Sequence, residues 1–464
     1  MSLNILFLAI EFPPLNTTGN YRSAKFVKYF REFGIHPIVV TLDTPSALKW
    51  FPKASCDYQL LEELPEDTPI IRIPCEDPPP NHSNQLKNFM TVVFRRGRDD
   101  FNKLWRKNLF ERLNGIFKQY QPQLVLTSLP PFGAGPLASE ISRKFDVPLI
   151  LDMRDGWTFW RPVPYPTWLN YFLEHHLAHQ TLKQASSILG VSRQLNDSFK
   201  CSYTDIAPHK FHVIPNGFDH DEKDWKEVEI PPRGKREYTI GYVGVFYYFP
   251  KYRELMTKPW RKRKGHQKFY YVPRQEDYLY RTPYFFFKTL AELFKRRPDL
   301  KTVIKIKFIG DKPGWMEEMI HEFALESNCF FYGSLSRHDA LKVEETFDAF
   351  LNTTTKVKDG EDYMLSLKVF DYVLFRKPIL GFVLKGALKE FLEQCGLGFI
   401  FNPDDPDQSS ALLEKVIEGG FTLKPNAEYL NQFHRRFLTG RLSGIIKNTI
   451  NERNHFNVRN RCDI

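Results

Sequence analysis

Ser366-Leu367-Lys368-Val369-Phe370-Asp371 is the segment whose residue types could do chemistry most directly. A small residue opens a helix, and the free N–H groups of a first turn can face a diphosphate. Lys368 sits in that turn and adds positive charge. Asp371 lies about one turn on, on the neighbouring face. A carboxylate there can accept hydrogen bonds from both hydroxyls of a ribose. The plainer alternative is an amphipathic helix, with Phe370 and Val373 in the core and Lys368 and Asp371 solvated. A second constellation, Leu151-Asp152-Met153-Arg154-Asp155-Gly156-Trp157, follows an apolar run. An Asp at such a strand end can orient a hydroxyl, and Arg154 can pair with phosphate or carboxylate. The alternative is a buried Asp–Arg pair that braces the loop.

Both segments need elements to position them. In the first half, residues 4–10, 38–40, 124–126 and 148–151 read as short, fully apolar strands, and 21–33 as a helix that ends at Gly34. Such strands alternating with helices imply a parallel, doubly wound sheet. The pattern restarts with strands at 238–244, 303–309, 328–332 and 378–382, and helices near 283–296, 315–326, 338–346 and 366–376. The α/β reading is therefore of two Rossmann-like domains facing across a cleft. They occupy 1–215 and 237–435, with a linker at 216–236 and a C-terminal tail at 436–464 crossing back. Open α/β sheets bind ligands at the carboxyl ends of their strands, so the cleft is the expected site. Residues 74–118 and 246–280 are longer than ordinary loops, and such loops are usually functional or mobile.

Composition narrows the class. The 464 residues exceed one ordinary domain. No apolar run reaches the roughly 20 residues needed to span a bilayer. The apolar start, Leu3 to Ile10, reads as a buried strand rather than a targeting segment. Six scattered cysteines form no CxxC pair, so neither a zinc site nor a disulfide framework is expected, and a cytoplasmic setting fits. A net charge of +10 attracts phosphate in some form. No G-x-G-x-x-G follows the first strand, which argues against a nicotinamide dehydrogenase.

Five segments together resemble glycosyltransferase family 4 and its GT-B relatives, of the cell-surface polysaccharide type. They are Val213-Ile214-Pro215-Asn216-Gly217-Phe218-Asp219, Gly241-Tyr242-Val243-Gly244, Phe331-Tyr332-Gly333-Ser334-Leu335, Ser366 to Gly381, and Asp152 to Trp157. Gly19 is a partial match to the family's Gly-rich loop. The resemblance implies a GT-B fold and a nucleotide-sugar donor of UDP or GDP type. It also implies transfer with retention and no metal or further cofactor. It places Gly19, Gly244, Arg281, Gly333, Leu335, Ser366, Leu367, Lys368 and Asp371 at the donor, and Asp152, Arg154 and Asp155 at the reacting centre. Arg281 is the diphosphate clamp, with Lys288 and the basic cluster 261–264 as rivals. His175 and His176 are read as structural. The chain departs from the family at Tyr363, eight residues before Asp371, where many members carry Glu. Glu361 and Asp362 are the nearest substitutes.

The expected acceptor is a saccharide or lipid-linked saccharide. Arg95-Arg96-Gly97-Arg98, with Phe94, Phe101 and Trp105, is a candidate basic-aromatic surface for an anionic membrane at the inner face of the plasma membrane. A solvated helix face with aromatic core contacts is its alternative. Two rival functions remain open: a catalytically inert GT-B protein that binds a sugar nucleotide or scaffolds an assembly, and a nucleotide-sugar epimerase. Nucleic acid is not an expected partner.

Overall fold

The computed structural model describes residues 3–52, 54–76, 101–159, 163–219 and 225–462; within them no side chain is described for Thr18, Phe101, Asn102 or 455–462. The apolar runs become two parallel sheets. The first holds β1 (Leu3–Leu8), β2 (Ile35–Leu42), β3 (Ile70–Ile73), β4 (Val125–Leu129), β5 (Leu149–Met153), β6 (Ser187–Gly190) and β7 (Phe211–Val213), in the order 3-2-1-4-5-6-7. The second holds β8 (Tyr238–Val243), β9 (Ile304–Ile309), β10 (Cys329–Phe331), β11 (Ala349–Thr353), β12 (Ile379–Phe382) and β13 (Gly398–Phe401). Its order is β10-β9-β8-β11-β12-β13, the same winding. Strands buried on both faces, such as Ile379–Phe382, can be apolar at every position, whereas Ile304–Ile309 alternates apolar residues with Lys305 and Lys307.

Five helices matter for the site: α1 (Thr18–Phe30), α2 (Tyr284–Arg296), α3 (Arg337–Glu344), α4 (Leu367–Tyr372) and α5 (Arg435–Cys462). α1 starts three residues before the expected helix and passes into a tight turn at Arg31–Phe33, ended by Gly34 at φ 73°. α4 is shorter than the expected 366–376, because the chain tightens into a 3-10 turn at Val373–Phe375.

α5 belongs to the second half in sequence and the first in packing. Leu438, Leu442, Ile446 and Ile450 recur every fourth residue and join Phe7, Val27 and Phe30 in one apolar cluster. Fully burying each such side chain contributes roughly 1.5–3 kcal/mol. The chain thus crosses between domains twice, and the crossings touch. Phe218 N–H donates to the Phe433 carbonyl at 3.2 Å, and Arg435 N–H to the Phe218 carbonyl at 2.9 Å. A Cβ on Gly217 would lie 1.9 Å from the Phe433 oxygen, so only glycine lets the two strands meet. Trp225 closes the junction by donating to Asn431 at 2.9 Å. Val228–Ile230 pairs antiparallel with Phe421–Leu423. Among the described residues, no helix is long and apolar enough to cross a membrane.

Candidate active site in the interdomain cleft

A cavity of about 390 Å³ lies between the carboxyl ends of the two sheets. Its second-domain wall begins where β8 ends. Gly244 turns the chain at φ +113°, a conformation that favours glycine. Directly behind it, a Cβ on Gly310 would lie 2.5 Å from the Gly244 carbonyl oxygen. The turn brings α4 close, so Lys368 Nζ sits 3.7 Å from the centre of the Tyr242 ring. Burial, and then the neighbouring Arg281, hold the Lys368 ammonium well below the usual lysine range. Arg281 ends a short turn ahead of α2, donates to Met364 Sδ at 3.2 Å and lies over the Tyr247 ring at 5.1 Å. Among the described residues, neither Lys368 nor Arg281 has a carboxylate within ion-pair distance. Ser366 Oγ is buried beside them with no hydrogen-bond partner. Leu367 and Asp371 complete this wall.

Asp371 is occupied. Arg337 of α3 grips it with two bonds, 2.8 and 3.2 Å, and its guanidinium also lies 5.2 Å from the Tyr21 ring of the first domain. Gly333 and Leu335, expected at the donor, are exposed and do not line the cavity. Gly333 reaches it at one remove, accepting from Gly310 N–H at 2.8 Å. Lys288 and residues 261–264 do not line it either, which leaves Arg281 as the arginine beside Lys368.

The first-domain wall resolves the Asp152–Asp155 segment into two kinds of residue. Asp152, expected at the reacting centre, is 1% exposed and accepts from Arg22 Nη2 at 2.7 Å, Arg22 Nε at 2.9 Å and Ser128 Oγ at 2.9 Å. With its oxygens spent inside the wall, it holds Arg22 rather than a substrate. Arg22 in turn donates to the carbonyls of Ile214 and Pro215, at 2.7 and 2.8 Å. It thereby fixes the Ile214–Gly217 turn. Nothing in the local sequence marks Arg22: it is one arginine in a helix, paired with a residue 130 positions away.

Arg154 and Asp155 do line the cavity. Arg154 donates to Glu11 at 2.6 Å and to the Pro130 carbonyl. Gly19 lies against this pair: a Cβ there would lie 2.1 Å from Arg154 Nη1 and 2.5 Å from Glu11 Oε1, so a side chain would displace the tips of both. Burial pushes the Asp155 carboxyl above its usual range, while Arg154 and Arg281 pull it back.

Tyr363 stands where the family's first carboxylate is usual, and it lines the cavity from the second domain. Its ring packs into the first domain's core, edge-on to Phe159 at 6.1 Å. The Gly156 N–H donates to its hydroxyl at 3.4 Å, and Ser192 Oγ to its carbonyl at 2.8 Å. Neither proposed substitute carboxylate reaches the cavity. Asp362 is buried and accepts from Thr355 N–H, Thr355 Oγ1 and Met364 N–H at 2.9–3.0 Å. Glu361 pairs with Lys385 and Arg193, turned away from the cleft.

The long segment 246–280 clasps the domains at the same end. Tyr271 and Tyr165 exchange backbone hydrogen bonds of 3.0 and 2.9 Å across the junction. Arg274 donates to Ser198 and the Glu361 carbonyl, and pairs with buried Glu276 at 2.9 Å. Burial raises the Glu276 carboxyl to about 7. His175 lies against Tyr203 at 4.6 Å, within an aromatic stack away from the cavity. Of the basic-aromatic run at 94–105, Arg95, Arg96 and Arg98 lie outside the described residues. Trp105 is fully buried and donates to the Ile73 carbonyl, so it is a core residue and no part of a surface. Among the described residues, no three His, Cys, Asp or Glu side chains converge as a metal site requires.

Residues 19–217 match the family described as a glycosyl transferase 4-like domain. A sequence comparison with curated proteins gives no match. Three solved structures are similar over nearly the whole chain. The lipopolysaccharide outer core galactosyltransferase WaaB in its apo form has a TM-score of 0.53 at 13% identity, covering 96% of this chain and 100% of that one. A glycosyltransferase from Rickettsia africae ESF-5 has 0.53 at 14%, covering 97% and 99%. Sucrose-phosphate synthase from Thermosynechococcus elongatus has 0.53 at 12%, covering 100% of both chains. At such identities the likeness is one of fold. Residues 19–217 thus match a glycosyl transferase 4-like domain, and the whole chain has a two-domain fold of GT-B type.

Proposed function

We propose that the protein is a glycosyltransferase acting in cell-surface polysaccharide synthesis at the cytoplasmic side of the membrane. It moves a sugar from a UDP- or GDP-type donor to a saccharide or lipid-linked saccharide, with retention and without a metal ion. The observation that carries this reading is one convergence. Lys368, Arg281 and the unpartnered Ser366 hydroxyl face one cavity, with Arg154 and Asp155 across it.

In the reaction, the bond from the sugar's anomeric carbon to the diphosphate breaks and its electrons go to the phosphate oxygen. The acceptor oxygen bonds to that carbon on the same face. The acceptor's proton passes to the departing phosphate. Negative charge therefore gathers beside Lys368 and Arg281, two preorganised cations in a partly desolvated site. Arg281 can grip two phosphate oxygens at once. Asp155 accepts a hydrogen bond from the acceptor hydroxyl and orients it. Asp371 exchanges Arg337 for the ribose hydroxyls.

The test is calorimetric titration with UDP, GDP and ADP, beside an Asp371→Ala variant. Tight binding of one nucleotide, weakened in the variant, supports the donor site and names the base. No binding at millimolar nucleotide removes it. A second reading, a sugar-nucleotide-binding protein without transferase activity, draws on Tyr363 in the place of a carboxylate. Nucleotide binding without turnover of any sugar donor selects it.

A further inference from the structure

The segment 246–280 does more than clasp the domains. Its outer part, folded as two short turns at Trp260–Lys262 and Gly265–Phe269, carries two of the most exposed large apolar side chains described. Trp260 is 61% exposed and Phe269 66%. Lys251, Arg261, Lys262, Lys264 and Lys268 are exposed on the same segment, and Glu254 is its single acidic residue between 246 and 275. The other basic groups there are already used. Arg253 pairs with Asp277, and Arg263 donates to the backbone of Lys258, Met256 and Tyr270. Lys268 lies 5.8 Å from the Trp260 ring, so ring and charge share one surface.

This patch continues onto the first domain. The backbone bridge between Tyr165 and Tyr271, and the Tyr171 and Tyr271 rings 4.8 Å apart, join the segment to the helix Trp168–Gln184. On that helix Trp168 and Phe172, one turn apart, are 56% and 48% exposed and stacked at 5.2 Å. Phe269, two residues from Tyr271, and the stacked Trp168 and Phe172 thus lie on either side of this bridge, with exposed lysine and arginine on the 246–280 side. Tyr247, at the start of the segment, lines the active-site cavity.

The geometry points to this surface as the docking face for an anionic lipid bilayer, set beside the cleft mouth so that a lipid-linked acceptor reaches the cavity without leaving the membrane. Tryptophan and phenylalanine insert at the headgroup level, and lysine and arginine gain from anionic headgroups. A bilayer fits better than nucleic acid. The Trp168 and Phe172 rings already stack on each other, and the Trp260 indole N–H already donates to the Lys268 carbonyl at 3.0 Å. The facing sides of the Trp168–Phe172 stack are closed to a base, whereas insertion into headgroups needs only protruding edges. The inference rests on the glycosyltransferase reading for its acceptor alone.

The experiment is co-sedimentation of the full chain with phosphatidylcholine vesicles, with and without phosphatidylglycerol. Expected is binding to the anionic vesicles that weakens with salt. Lys262→Gln with Lys264→Gln should weaken it by about fivefold per charge. Trp260→Ser with Phe269→Ser should weaken it by about tenfold or more at every salt concentration. Unchanged melting temperature and nucleotide affinity must accompany these losses, which keeps failure here distinct from failure of the donor site. Vesicle binding equal in parent and variants, or absent altogether, overturns the proposal. So does an oligonucleotide that binds the same residues and displaces the vesicles.

Discussion

On the first domain's wall of the cleft, Arg22 has Asp152 and two carbonyls, and Arg154 has Glu11. On the second domain's wall, Lys368 and Arg281 have aromatic rings beneath them and, among the described residues, no carboxylate within ion-pair distance. Folding alone completes the first wall. The second is left for an anion to complete. Burying a charge pair costs several kcal/mol, recovered only with good geometry, and breaking such a pair leaves the remaining charge stranded. Desolvated cations without partners behave differently. They lower their own proton affinity and wait, as Lys368 does.

The contrast predicts opposite outcomes for substitutions that line one cavity. Arg22→Leu leaves Asp152 buried and alone, and should cost about 3–5 kcal/mol of stability in thermal or denaturant unfolding. Lys368→Ala removes an unpaired buried cation. It should leave the melting temperature unchanged or raised while lowering turnover about 10²–10³-fold. If Lys368→Ala destabilises as Arg22→Leu does, the division between the walls fails.

Glu276 sharpens the comparison at the clasp. Its carboxyl is raised to about 7, above the 4.5 of a free glutamate. Between those values the folded chain keeps a proton that the unfolded chain has lost. The stability this group contributes is therefore full below 4.5 and lost as pH rises through 7. The total is about 3 kcal/mol at most. Glu276→Gln should flatten the melting temperature against pH over that window, and an unchanged slope places the titration elsewhere.

A smaller effect is expected at Lys368 itself. An anion stabilises its ammonium, so nucleotide binding should take up a fraction of a proton, and affinity should fall as pH rises. Calorimetry in buffers of different ionisation heat reads that fraction. Smallest of all is Arg106→Ala. Arg106 pairs with Glu140 on the first domain's surface, the arginine exposed and the glutamate partly so. Its loss should change stability by less than about 1 kcal/mol.

The strands were legible where burial on both faces leaves apolar runs, as in Ile5 to Leu8 and Ile379 to Phe382. The second wall was legible as well, since Gly244, Ser366, Lys368 and Asp371 sit in contiguous motifs. What could not be read is what depends on distant partners. Arg22 looks like any helix arginine until Asp152 is placed beside it. Asp152 lies within the buried strand and is held by Arg22 and Ser128, whereas Arg154 lies past the strand's last residue, Met153, and lines the cavity. Tyr363 reads as a missing carboxylate in sequence and in space as a plug in the opposite domain. Trp105 has the basic neighbours of a surface residue, yet it is completely buried.

The paired crossings at Gly217–Phe218 and Phe433–Arg435 have a mechanical consequence. A body hung on one thread can turn about any axis. A body hung on two threads stitched together at a single point swings like a door on one post. Here the post is Gly217, Phe218 and Phe433, and the latch is Tyr363 with the Tyr165–Tyr271 bridge. A gap between the domains would therefore open on the latch side, and the bulk of any side chain added at Gly217 would jam the door at its post.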